Sequence, residues 1–129
     1  MNLKRLSLLR RKVHLLKGKR NQLERIALGR SPMVPASLLA RRFRPGAPTA
    51  YYLSASIQGE SRHRYVRRGE VDYYRQRSQA WQGFQKAMAS WVKVNKEVEK
   101  ALRRIGRLRC EPLPGGRRAG QEGKNRWSK

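Results

Sequence analysis

Acidic residues are scarce in this chain: eight Asp and Glu stand against 32 Lys and Arg in 129 residues, a formal charge of +24. The eight are Glu24, Glu60, Glu70, Asp72, Glu97, Glu99, Glu111 and Glu122, and no two form an acid–base pair with a matching partner. Glu70 and Asp72 sit where they complement the dipole of a predicted helix, and Glu97 and Glu99 suit surface pairs with nearby cations. Cysteine is limited to Cys110, which excludes an intramolecular disulfide, and with only His14 and His63 beside it no standard Cys/His zinc site can be assembled. His63, close to Tyr65, has neither a nucleophile nor an oxyanion donor to work with. Phosphate loops, dinucleotide fingerprints and metal-ligand spacings are missing from the sequence. The expectation is a protein that is not an enzyme and carries no cofactor and no metal.

Long apolar runs are also missing, so no membrane span is predicted, and Arg10, Arg11 and Lys12 interrupt the only stretch resembling a signal-peptide core. The first twenty residues have the amphipathic, acid-free character of a transit peptide, but their pattern runs on past Leu23 as a longer helix. A cytoplasmic location is expected. Hydrophobic residues make up 38% of the chain, which predicts a narrow core, while three Trp, five Tyr and two Phe are more aromatics than a polycationic tail carries.

Proline is absent between Asn2 and Gly29, and apolar residues fall at Leu6, Leu9, Val13, Leu16, Leu23 and Ala27. With Arg20 as the polar intruder, the steps alternate three and four, the seam of a heptad-patterned helix over residues 1–30. Gly29, Pro32 and Pro35 end it. Proline is absent again from 70 to 108, where the pattern predicts a second long helix with a seam of Tyr74, Arg77, Trp81, Phe84, Met88, Trp91, Asn95, Val98, Leu102 and Ile105. Asn95 falls where a coiled coil uses a buried amide to fix register, or else stands exposed on an irregular helix. Two such seams bury each other by folding back antiparallel, or by pairing between chains as a homo-oligomer. Trp81, Phe84 and Trp91 belong to that seam as core or as partner interface.

Between the helices the period changes to two. Residues 37–44, 50–57 and 62–67 read as three strands of a β-meander spanning 36–68, with Gln58 and Gly59 as a two-residue turn. That turn sets Tyr52 opposite Tyr65, Ser54 opposite His63 and Leu53 opposite Arg64. Tyr51, Leu53, Ile57 and Val66 then share a packing face; Tyr52, Ser54, His63 and Tyr65 share the free one. Arg62 and Arg64 alternate onto the packing face and must run their stems outward. Pro45, Gly46, Ala47 and Pro48 form a stiff turn. Residues 111–129 lack periodicity and read as a flexible, disordered basic tail carrying Trp127. The fold class is α+β, mainly α: one domain made of an antiparallel pair of long helices capped by a small three-stranded meander.

The run Tyr51-Tyr52-Leu53-Ser54, the tight turn at Gly59, Arg64-Tyr65-Val66 and the long aromatic-bearing helix after it resemble a functionally uncharacterised family of short, basic prokaryotic proteins. Ser37-Leu38 and Arg41-Arg42-Phe43 match that family's first strand, while Arg44 to Pro48 replaces its cysteine knuckle, so any metal role of that knuckle is lost from this chain. The resemblance covers residues 36–105. It implies a setting near mobile genetic elements, and with it the handling of nucleic acid.

Charge placement points the same way. Residues 1–30 carry ten Lys or Arg against one acid, including Arg10, Arg11, Lys12, Lys17 and Lys19. Every cation between residues 31 and 69 is arginine: Arg41, Arg42, Arg44, Arg62, Arg64, Arg67 and Arg68. Arginine suits bidentate contact with phosphates and base edges, although it is also the commoner cation throughout the chain. Tyr52, Tyr65 and His63 on one face, flanked by arginines, suit stacking on unpaired bases; the two tyrosines equally suit plain cross-strand stabilisation of the sheet. The expected function is that of a nucleic-acid-binding accessory subunit, taking RNA or DNA within a larger nucleoprotein assembly such as mobile-element or RNA-guided machinery. The alternative is a coiled-coil interaction module whose basic surface takes an acidic protein.

Overall fold

The computed structural model describes residues 2–115. Its elements, in chain order, are helix α1 (Leu3–Ala27), strands β1 (Ser37–Arg41), β2 (Ala50–Ile57) and β3 (Glu60–Val66), a single 3-10 turn at Arg68–Glu70, and helix α2 (Val71–Arg109). The molecule is mainly helical, with one three-stranded antiparallel sheet in the order β1-β2-β3. No helix among the described residues is long and apolar enough to cross a membrane. The tail expected over 111–129 falls mostly on residues 116–129, which with Trp127 lie outside the described residues.

α1 begins where Asn2 caps it: the side-chain Oδ1 accepts from the backbone N–H of Arg5 at 3.0 Å, satisfying one of the orphan donors of a first turn that holds no acid. Along α1 the predicted seam is the covered one. Leu6, Leu9 and Val13 are buried and Leu16, Arg20, Leu23 and Ala27 half-buried, while nearly all other positions are exposed.

α2 differs from its predicted seam by one residue at several places. The buried positions are Val71, Ser78, Ala87, Val94, Val98 and Ala101, so Ser78, Ala87, Val94 and Ala101 replace Arg77, Met88, Asn95 and Leu102. Ala101 is 3% exposed and its neighbour Leu102 49%. Asn95 is exposed, which overturns its reading as a buried register amide. Small side chains are covered at little cost, and a count weighted toward large apolar residues passes over them. Trp81, Phe84 and Trp91 are half-buried, with the first two rings stacked at 5.9 Å and 16°.

The meander has the predicted register: Tyr52 faces Tyr65, Ser54 faces His63 and Leu53 faces Arg64. Gln58 and Gly59 form the turn with φ of 52° and 83°, the pair of positive angles that a type I′ hairpin turn requires. At the other turn Gly46 has φ 79° and the N–H of Ala47 donates to the Arg44 carbonyl at 3.1 Å, as a type II turn with Pro45 leading does. Leu53, Val66, Ala36 and Val71 make a small core against which Val34, Leu38, Tyr51, Ala55 and Tyr74 pack. Ile57, placed on that face by alternation, lies next to the hairpin turn, beyond the reach of this core, and is exposed.

The described residues group into two compact units: 2–18 with 95–115, and Lys19–Val94. In the second unit the connection into β1 is tied to α2. The N–H of Val34 donates to the Arg77 carbonyl at 3.2 Å, and the buried Ser78 hydroxyl donates to the Ala36 carbonyl at 2.7 Å.

Candidate nucleic-acid interface

Alternation along three paired strands divides the sheet into two faces. Leu38, Tyr51, Leu53, Ala55 and Val66 serve the core. Leu39, Arg41, Tyr52, Ser54, His63 and Tyr65 therefore share the opposite face, where Leu39, Tyr52 and Tyr65 form one cross-strand row. Tyr52 stands at the middle of an aromatic chain: Phe43 meets it edge-on at 6.4 Å and 86°, and Tyr65 at 5.7 Å and 71°. Phe43 is 67% exposed and Tyr65 59%. A shallow cavity of about 210 Å³ on this face is lined by Leu39, Arg41, Phe43, Tyr52 and His63. The His63 ring is held by its Nε2, 3.3 Å from the Ser61 hydroxyl.

The predicted site residues divide accordingly. Arg41, Tyr52, His63 and Tyr65 are gathered on this one face. Arg42 donates from Nε to the Thr49 hydroxyl at 3.1 Å, which secures the ends of the β1–β2 connection, and Arg44 is exposed in the turn. Arg62 and Arg64 fall on the core side of the alternation yet are exposed near the hairpin end, and Arg62 lies 3.6 Å from Glu60. Arg67 and Arg68, past the end of β3, are exposed. Arg10, Arg11, Lys12, Lys17 and Lys19 are exposed on α1.

Phe43 and Leu39 were not among the residues expected to form a site. Their signal is the period of two running through Ser37, Leu39, Arg41 and Phe43, which carries past the end of β1. Two arginines of α2 also hold aromatic partners that helix periodicity alone did not reveal. The guanidinium of Arg77 lies 3.4 Å over the Tyr73 ring and donates to the Tyr73 carbonyl at 3.1 Å, and that of Arg75 lies 5.9 Å from the Tyr51 ring while pairing with Asp72 at 2.8 Å.

Chemically, the face offers aromatic surfaces beside cations. Exposed aromatic faces accept the π-face of any base, and an adjacent arginine accepts phosphate, a combination that recurs wherever unpaired strands are held. Among the described residues no group of three His, Cys, Asp or Glu is placed to hold a metal ion. No protein-family profile, curated protein or solved structure matches this chain.

Proposed function

We propose that this protein is a non-enzymatic nucleic-acid-binding subunit that takes unpaired bases of RNA or DNA on the outer face of its β-meander. The observation that carries the reading is the row of Phe43, Tyr52 and Tyr65, exposed at both ends and bordered by Arg41 and His63. An exposed aromatic row is costly to leave in water, and a formal charge of +24 favours a polyanion as its cover. Work inside a larger cytoplasmic nucleoprotein assembly, in mobile-element or RNA-guided machinery, fits the likeness of residues 36–105 to the short basic prokaryotic family. The two helices complete the fold as an antiparallel pair, a course supported by the cavity that Leu9 lines together with Arg104 and Leu108.

Ultraviolet crosslinking of the full chain to a single-stranded oligonucleotide, followed by peptide mass spectrometry, tests the reading. Crosslinks are expected on peptides containing Phe43, Tyr52 or Tyr65. Crosslinks that spare all three peptides would remove the meander face from the interface.

A second reading, a coiled-coil module for an acidic protein or a second copy of the chain, draws on the half-exposed rings of Trp81, Phe84 and Trp91. The Trp91 indole N–H is itself buried without an acceptor among the described residues, so a partner would meet the ring and not its polar atom.

A further inference from the structure

Five cations of the first unit converge from two helices on a pair of adjoining cavities. One, of about 190 Å³, is lined by Arg5, Leu9, Arg104, Arg107 and Leu108. The other, of about 90 Å³, is lined by Leu9, Lys12, Glu97, Lys100, Ala101 and Arg104. Leu9 and Arg104 border both. On α1, Arg5 and Lys12 are two helical turns apart and lie on one flank of the Leu6-Leu9-Val13 seam. On α2, Lys100, Arg104 and Arg107 follow steps of four and three, so they form one stripe.

This stripe is poorly neutralised. Glu97 is the one carboxylate in the two linings, beside Lys12 and Lys100, and the ion pair at this end of α2 joins Arg103 to Glu99 at 3.5 Å, outside them. Among the described residues, no carboxylate pairs with Arg5, Arg104 or Arg107. Arg5, Arg104 and Arg107 are exposed beside Leu9 and Leu108, and their planar forks match phosphate oxygens. α2 also ends at Arg109, with Arg107 in its last turn, so Arg107 complements the C-terminal dipole while its head group remains open to a ligand.

We infer that Arg5, Lys12, Lys100, Arg104 and Arg107 form a phosphate-binding groove that follows the sugar-phosphate backbone of a nucleic acid without reading its bases. Seven residues of helix rise by roughly 10 Å, which spans about three phosphates of one strand. The inference rests on the nucleic-acid reading above but on residues separate from the meander face. It adds an anchor indifferent to strandedness and sequence, as phosphate contacts are.

The test compares two triple variants of the full chain that remove equal charge. One is Arg5→Gln with Arg104→Gln and Arg107→Gln. The other is Lys86→Gln with Lys93→Gln and Lys96→Gln, exposed lysines of α2 outside the groove. Affinity for a duplex, for a single strand of equal length and for phosphatidylserine vesicles is measured over a range of salt concentrations, with thermal melts confirming that both variants fold. The arginine triple should flatten the log–log salt slope by about 2 to 3 on both ligands, because each lost phosphate contact removes a little under one unit. The lysine triple should flatten it by less than about one by the same relation. Equal effects of the two triples, or an unchanged slope in the arginine triple, would overturn the groove. So would a loss confined to phosphatidylserine vesicles, which would assign the stripe to a lipid surface. A flattened slope beside meander crosslinks that fail would retain the groove and remove only the base-stacking role.

Discussion

Ser78 shows how much one side chain settles in this molecule. It is 2% exposed, and its hydroxyl donates to the carbonyl of Ala36, 42 residues away in sequence, at 2.7 Å. That bond fixes the entry into β1 and thereby the position of the whole meander against the first turns of α2. Ser78→Ala should cost about 1–3 kcal/mol, because the Ala36 carbonyl is left buried without its donor. Chemical denaturation measures this directly, and a loss near zero would mean that the carbonyl finds another partner. Tyr52 plays the corresponding part on the open face, held from both sides by edge-on rings so that its position is set before any ligand arrives. Such preorganisation lowers the ordering cost of binding.

Among the elements, α1 and the hairpin were legible from the sequence because their spacing is regular, although Leu3, Leu8, Leu15 and Ile26 of α1 stand exposed off its seam. The longest series of leucine and valine at steps of three and four is the seam that is covered, and alternation closed by Gln58-Gly59 admits one register. α2 offered two overlapping patterns. Met88 and Leu102 drew the seam toward themselves, while the covered stripe runs through Ala87 and Ala101, because burial is decided by what stands over a position as well as by the hydrophobicity of the residue there. The candidate site was legible through Tyr52, His63, Tyr65 and Arg41; Phe43 lay in the strand expected over 37–44, which ends at Arg41, and its ring contact with Tyr52 is not encoded by alternation alone. The revised stripe makes a paired prediction. Ala101→Leu should destabilise by about 1–3 kcal/mol through overpacking, whereas Leu102→Ala, at an exposed position, should stay within about 0.5 kcal/mol of the parent. The reverse order in thermal melts would restore the seam through Leu102.

For the molecule as a whole, the dominant property is charge that the fold does not neutralise. The ion pairs Arg62–Glu60, Arg75–Asp72 and Arg103–Glu99 are local and solvent-exposed, and such pairs add little to stability. Thirty-two cations against eight acids leave a net self-repulsion, which the proposed association with a polyanion would relieve. On the proposed reading, the meander face would add what charge alone cannot, a preference for bases that are out of the helix. The most direct measurement is the affinity of the parent and of the Tyr52→Ala, Tyr65→Ala double variant for a single strand and for a duplex of equal length, at one salt concentration. Stacking contributes about 1–3 kcal/mol per base, so the variant should lose at least about tenfold on the single strand and little on the duplex, with the fold retained in its melting curve. Equal losses on both ligands, together with a lowered melting temperature, would make the tyrosines sheet packing and contradict the account.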